Sequence, residues 1–344
     1  MKAKAPTLKD IAKELGISIS TVSRALRGMP EINLETREAV LKLSKNLEYK
    51  LPSNQQQKAN TKNQIIAALV PQFDYYFSEI IRGMDDAAID AGFTLVVNKT
   101  NESFGREVSA IHRLLQSNVD GLVVARAFET SSFEHFEGII KRNIPLVFID
   151  REFTELNTPN FVIDNFEGGK LAVKHLVEKG YRKICFLGAK SYSFSKYTIE
   201  NGLLAGMKEA KIDNFDKKLI FGDYNQVQAF EKASEILRLN DRPDAFFAAN
   251  DQAAIGIHKA IHEAGYNVPK DIGIVGYYDE PTVSAIYPAL TSVSVPAYEM
   301  GKSAINSIIS QLHLSGTSES KTKLFAPELK ARESTNQTRR FFGI

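Results

Sequence analysis

From Ile65 onward, short apolar runs alternate with amphipathic stretches, and this alternation restricts the fold more than any other feature of the chain. IIAALV (65–70) reads as a buried strand; Phe77, Ile80, Ile81, Met84, Ala88 and Ala91 follow at helical spacing, closed by Gly92. TLVV (94–97), GLVV (121–124) and PLVFID (145–150) continue the series, with Ile111, Leu114 and Leu115 marking one intervening helix and a further helix before the last run. The cycle restarts at Phe161. Strands are predicted at KICFLG (183–188), LIFG (219–222), DAFFAA (244–249) and DIGIVG (271–276), between helices near 166–179, 199–210, 226–239 and 251–264. Such repetition predicts an α/β fold with parallel sheets covered by helices on both faces. Two runs of about four to five units make two doubly wound lobes rather than one barrel, and a ligand would bind at the carboxyl ends of the strands, in the cleft between lobes.

Ahead of this body stands a different kind of segment. Leu8–Leu15 reads as a short helix with Ile11, Ala12 and Leu15 on one face, Thr7 as N-cap and Asp10 three residues later. Gly16 ends it, as a residue free to take positive φ. Ser18 caps a second helix, Ile19–Leu26, that buries Val22, Ala25 and Leu26. Asn33 caps a third, Leu34–Leu47, expected to bury Ala39, Val40 and Leu43. Two helices around a glycine turn form a helix-turn-helix. Ile19, Ser20, Thr21 and Arg24 occupy the polar face that such a helix presents to the major groove, where arginine pairs with guanine and hydroxyls bond bases or phosphates. Charge agrees with this reading: residues 1–60 carry 11 Lys and Arg against 6 Asp and Glu, and the remaining 284 carry 32 against 35. A basic head on a slightly acidic body suits an anionic partner such as nucleic acid.

The run TLKDIAKELGISISTVSRALRG resembles the DNA-binding signature of the lactose-repressor (LacI/GalR) family of transcription regulators, and the resemblance extends along nearly the whole chain. It implies that Ile19 and Ser20 read bases with Arg24 beside them, and that Thr7, Ser18, Thr21, Asn33, Thr36 and Arg37 lie near phosphates. It implies a helix-turn-helix domain over 1–50, a hinge over 51–64 and an effector-binding and dimerisation domain over 65–344. That domain would have the fold of periplasmic sugar-binding proteins, crossed three times between an N-lobe (65–162 and 293–326) and a C-lobe (163–292 and 327–344). The family hinge follows a Tyr-x-Pro and wedges a leucine into the minor groove. Here Pro52 stands three residues after Tyr49, and the wedge position falls on Ala59, or on Lys58 when counted from Tyr49. Neither is a large apolar wedge, and so short a segment without an apolar face is not a stable isolated helix.

Around the cleft the resemblance implies Tyr76 and Phe77 in the N-lobe, Asp150 at the end of FID, and in the C-lobe Tyr224 of GDY with Asn250 and Asp251 of AANDQAAIG. A planar ring beside carboxylate and amide groups suits a sugar or a base. Two positions depart from the family pattern. Ile199 stands where an arginine precedes the R-x-x-G glycine, here Gly202, and Tyr278 stands where an aspartate follows G-[FY]. The resemblance therefore implies an operator DNA, a sugar-like effector whose class is left open towards more apolar molecules, and a homodimer drawing on helices 77–91 and 251–262. A dimer whose cleft has lost small-molecule control is the other possibility.

Enzymatic chemistry is not visible. EGGK (167–170) lacks the P-loop spacing, and neither G-x-S-x-G nor G-x-G-x-x-G occurs. His258 and His262 are an i, i+4 pair without a third ligand and read as a solvated face. Cys185, the single cysteine, falls in an apolar strand and fits a reducing compartment. No catalytic residue, metal or cofactor is expected. The basic N-terminus has no apolar core and no run spans a bilayer, so a cytoplasmic protein without membrane contact is expected. The tail 335–344 shows no heptad for a tetramer.

Overall fold

The structure is a computed structural model that describes residues 6–26, 32–47, 49, 64–188, 197–212, 219–222, 224–313 and 321–336. The chain divides into two compact units, 1–61 and 62–344.

The first unit holds three helices, α1 (Leu8–Leu15), α2 (Ile19–Leu26) and α3 (Leu34–Asn46). Asp10 closes the start of α1: its carboxylate accepts the Thr7 backbone N–H at 2.8 Å and the Thr7 hydroxyl at 2.6 Å. Gly16 ends the helix at φ 65°, and its N–H bonds the Ala12 carbonyl. Ile11, Ala12, Val22, Ala25 and Val40 form a small core, with Leu8, Leu15, Ile17, Leu26 and Leu43 packed against it. Ala39, expected in that core, is exposed. The α3 stripe instead runs through Val40, Leu43 and the buried Ser44, whose hydroxyl bonds the Leu41 carbonyl at 2.9 Å.

The second unit contains two six-stranded sheets. In the first, the order is β11 (Thr322–Phe325), β5 (Asn160–Ile163), β4 (Leu146–Ile149), β3 (Gly121–Val124), β1 (Ile65–Val70), β2 (Thr94–Lys99), all parallel. In the second it is β12 (Glu328–Lys330), β10 (Thr291–Ser294), β9 (Gly273–Tyr278), β8 (Ala245–Ala248), β6 (Ile184–Gly188), β7 (Leu219–Phe221), antiparallel only at β10–β12. Strands β1, β3, β4, β6 and β8 are buried on both faces, which is why their sequences are unbroken apolar runs. Cys185 is buried in β6. Helices α4 (Tyr75–Asp90), α5 (Phe104–Gln116), α6 (Glu134–Ile140) and α12 (Ala297–His313) belong with the first sheet. Helices α7 (Asn165–Glu178), α8 (Ile199–Glu209), α9 (Gln226–Leu237) and α10 (Asp251–Glu263) belong with the second, and the short α11 (Pro281–Ala285) follows β9.

The chain passes between sheets after β5, after β10 and after β11. The structure shifts two predicted boundaries slightly. Ile163 pairs with Phe325 in the first sheet, and Val293 and Ser294 pair with β9 and β12 in the second. The elements β10, α12, β11 and β12 were not read as elements from the sequence. Each sheet reverses its winding once, between β1 and β3 in the first and between β6 and β8 in the second. Ligands of open α/β sheets bind at such switch points, beyond the carboxyl ends of the strands. Among the described residues, no helix is long and apolar enough to cross a membrane.

Candidate DNA interface and candidate effector cleft

In the head, Ser18 organises the start of α2. Its Oγ accepts the Thr21 N–H at 3.0 Å and lies 2.7 Å from Ser20 Oγ and 2.8 Å from Thr21 Oγ1. Three hydroxyls sharing protons can turn outward to donate to, or accept from, another molecule. Ile19 is 48 % exposed although it opens a helix whose other face is core. Ser20 and Arg24 are exposed one turn apart, and Thr21 is half-buried. Val22 and Ala25 turn inward, so sequence spacing and structure agree on which face is free. The Asn33 side chain caps α3 by accepting the Thr36 N–H at 2.7 Å, and Thr36 and Arg37 are half-buried. Thr7 is exposed at the start of α1. Two helix starts therefore offer partial positive charge beside hydroxyl groups, an arrangement suited to phosphate. Ala59 and Lys58 lie outside the described residues.

In the body, the predicted cleft residues fall into three groups. Tyr76, Asp150 and Tyr278 come together. The Tyr76 hydroxyl donates to Asp150 Oδ1 at 2.8 Å, and the Tyr76 and Tyr278 rings stack with centroids 4.6 Å apart. Tyr76 stands on α4 and Tyr278 at the end of β9, so this stack joins the two lobes. Burial, then the neighbouring Asp150 carboxylate, holds both phenols well above the usual tyrosine range. Burial likewise raises Asp150, with Arg151 opposing. Tyr278 (φ 94°) and Asp279 (φ 55°) both adopt left-handed backbone, which costs free energy for residues with a side chain. The Asp279 carboxylate accepts from Arg332 at 2.7 Å, beside the third crossing. A cavity of about 590 Å³ opens beside the second crossing, where Tyr76, Tyr278, Asp279, Val295, Pro296 and Tyr298 are among its walls.

The second group is the C-lobe pair. Asn250, beyond the end of β8, caps α10 by accepting the Ala253 N–H at 2.7 Å and donates to the Tyr224 carbonyl at 3.2 Å. The Tyr224 ring lies over Gly222 and packs against the lobe's core. Both residues are half-buried at the switch point of the second sheet.

The third group corrects the expectation. Phe77 is 3 % exposed and belongs to the N-lobe core, because its position on α4 turns inward with Ile80 and Met84. Ile199 packs on the C-lobe core at the start of α8. Asp251 is fully buried, its two oxygens accepting from Ser292 Oγ and the Glu280 N–H, each at 2.7 Å. It ties α10 to β10 and α11 and, with no exposed surface, is closed to a ligand. Burial pushes its carboxyl up to about 7, although both hydrogen bonds pull the other way.

Sequence reasoning missed a polar network at the ends of β2, β3 and β4. Arg151 donates two hydrogen bonds to Glu102, both at 2.7 Å, and one to the Arg126 carbonyl at 2.8 Å. Burial opposes the Arg151 charge, but the Glu102 bonds and Asp150 more than offset it. Nearby, the fully buried Glu107 accepts from the Ala127 N–H, the Thr130 hydroxyl and His135 Nε2. The signal was present: charged residues directly following apolar runs, as in GLVVAR and FIDR, mark strand ends. His258 is half-buried on α10, and among the described residues no cluster of His, Cys, Asp and Glu could hold a metal ion.

A three-helix head and a two-lobed body with a ligand cleft define a class, the bacterial regulators whose binding domain is built like a periplasmic binding protein. Comparison with known proteins agrees. Residues 7–52 match the model for bacterial regulatory proteins of the lacI family, and residues 173–335 match a periplasmic binding protein-like domain. The chain is 30% identical over 308 residues to the ribose operon repressor of Halalkalibacterium halodurans (89% of this chain, 90% of that one). It is also 30% identical over 335 residues to the HTH-type transcriptional repressor PurR of Erwinia tasmaniensis (95% and 96%). The Lac repressor dimer bound to operator and the anti-inducer ONPF superposes with a TM-score of 0.74 at 25% identity, over 96% of this chain and 99% of that chain. The chain belongs to the lacI family of bacterial regulatory proteins, and the two relatives named above are repressors of transcription, not enzymes.

Proposed function

We propose that the protein is a sequence-specific transcriptional repressor that binds an inverted-repeat operator as a homodimer, with its DNA affinity set by a small molecule in the inter-lobe cleft. The observation that carries the reading is the free face of α2, where an exposed Ile19 stands beside Ser20 and Arg24. An exposed isoleucine is unfavourable in water, whereas against thymine methyls it buries apolar area. Arg24 supplies a fork for guanine, and the hydroxyls of Ser18 and Thr21, with the starts of α1 and α3, face phosphate. A single head reads only a half-site, so a second copy is needed, one helical turn or more away. The outward faces of α4, with Ile89 63 % exposed, and of α10 support a self-complementary surface. The Lac repressor structure named above is likewise a dimer on operator. Such a regulator works in the cytoplasm.

Selecting the operator from random duplexes tests the reading. With about 6–10 phosphate contacts, affinity should fall about 10³–10⁵-fold between 50 and 200 mM salt; a flat response contradicts docking on the duplex. Arg24→Ala should weaken the selected site by about 1–3 kcal/mol and relax the preference at one base pair.

Two observations favour a second reading, a dimer that binds DNA without an effector. The Tyr76–Tyr278 stack already joins the lobes, and Ile199 removes a fork of donors from the cleft. A thermal-shift screen of sugars, nucleobases and anions separates the two: any ligand that shifts both melting and operator affinity supports control by an effector.

A further inference from the structure

We propose that the cleft takes an anionic effector, a molecule bearing a phosphate or carboxylate group, and that Arg126 is the residue that recognises the charge. This rests on the reading of the cleft as an effector site and specifies its chemistry.

Arg126 follows β3 by two residues, and β3 is one of the two strands flanking the switch point of the first sheet. Its neighbour Arg151 occupies the matching place after β4, which pairs with β3. The two arginines differ in one respect. Arg151 is satisfied by Glu102 and by the Arg126 carbonyl, and its charge is balanced by Glu102 and Asp150. The Arg126 guanidinium lies over the Phe153 ring, 5.3 Å from its centroid, with its Nε buried and, among the described residues, without a hydrogen-bond partner. Among the described residues no carboxylate pairs with it. Glu107 already accepts three hydrogen bonds from other groups, and Glu155 is exposed and makes no ion pair with it.

A half-buried cation beside a second cation carries a penalty that its surroundings normally relieve. Burial, then the Arg151 charge, works against the Arg126 guanidinium, and the nearby Glu155 and Glu107 charges offset only part of this. The ring beneath it offers one face of compensation and no hydrogen bond. An anion arriving at the strand ends would supply what is missing, meeting a planar fork of N–H donors that matches phosphate or carboxylate oxygens. The C-lobe arginine expected at position 199 is an isoleucine, partly buried against core. In this chain the guanidinium without a carboxylate partner among the described residues therefore belongs to the N-lobe, at the strand ends beside the switch point of the first sheet.

The test uses the full chain and calorimetry with ribose 5-phosphate, glucose 6-phosphate, gluconate and inorganic phosphate, each sugar acid or ester paired with neutral ribose or glucose. At least one anion should bind ten or more times tighter than its neutral parent. The phosphate esters and gluconate separate phosphoryl from carboxylate recognition. Arg126→Gln should weaken that anion roughly 10- to 100-fold and leave neutral sugars unchanged, while Arg126→Lys recovers part of the loss. Because the side chain makes no hydrogen bond among the described residues, Arg126→Gln should melt within a few degrees of the parent. The proposal is overturned if no anion binds, if neutral parents bind equally, if Arg126→Gln leaves anion binding intact, or if that variant unfolds far below the parent. Selection of a DNA site by the ligand-free chain is scored separately, so failure of the regulator reading is visible on its own.

Discussion

Asp251 opens α10, a position where an acidic side chain ordinarily points to solvent, yet it is fully buried and held by Ser292 and the Glu280 N–H. Its folded value of about 7 lies above its ordinary 3.8. An acid that keeps its proton longer when folded stabilises the protein fully below about pH 4, and that contribution is lost as pH rises through about 7. The full effect is at most about 4 kcal/mol. Asp251→Asn should flatten the fall in urea midpoint between pH 4 and 7; an unchanged slope means that Asp251 is ionised throughout. Sequence reasoning grouped Asp251 with Asn250 as cleft residues. The spacing located both at a strand end, but only the fold shows that Gly276, without a side chain, leaves room for the carboxylate to turn inward. Tyr278 was singled out as a departure at an aspartate position. Its stacking on Tyr76 depends on two segments about 200 residues apart in sequence and was not legible.

At the scale of elements, the strands were legible because burial on both faces writes a continuous apolar run. The head helices were legible through their caps and the Gly16 stop. The last edge elements were not: β12 has only three residues, and the β11 residues alternate too weakly in burial to announce a strand, whereas the equally short β7 was legible as LIFG. Helix pairs meet at glycines in both lobes. A Cβ on Gly83 would land on the Tyr298 carbonyl of α12, and one on Gly202 would land on the Phe166 carbonyl of α7. Backbone at a helix crossing cannot move aside as a side-chain tip can. Gly202→Ala should therefore lower stability by about 1–3 kcal/mol, read as a reduced urea midpoint of the body. A midpoint equal to the parent would show that α7 and α8 separate freely. This crossing carries Ile199, so a shift there would also disturb the C-lobe core beneath the start of α8.

At the scale of the whole molecule, the proposal joins two events, DNA binding by the head and ligand binding by the body. Any coupling is reciprocal: if ligand changes operator affinity by some factor, operator changes ligand affinity by the same factor. Couplings of this kind are typically about 1–3 kcal/mol. Titrating a ligand found by the screen with and without operator should show that difference, and identical affinities would contradict control by the cleft. The central claim is the reading of DNA by α2, and its most direct measurement compares the parent with a triple variant, Ile19→Ala, Ser20→Ala and Arg24→Ala, on the selected site and on a scrambled duplex. The account predicts that the parent prefers its site by about 10³-fold or more and that the triple variant loses most of this preference while scrambled DNA is bound within about tenfold of before. A triple variant that keeps the full preference for the selected site would contradict it.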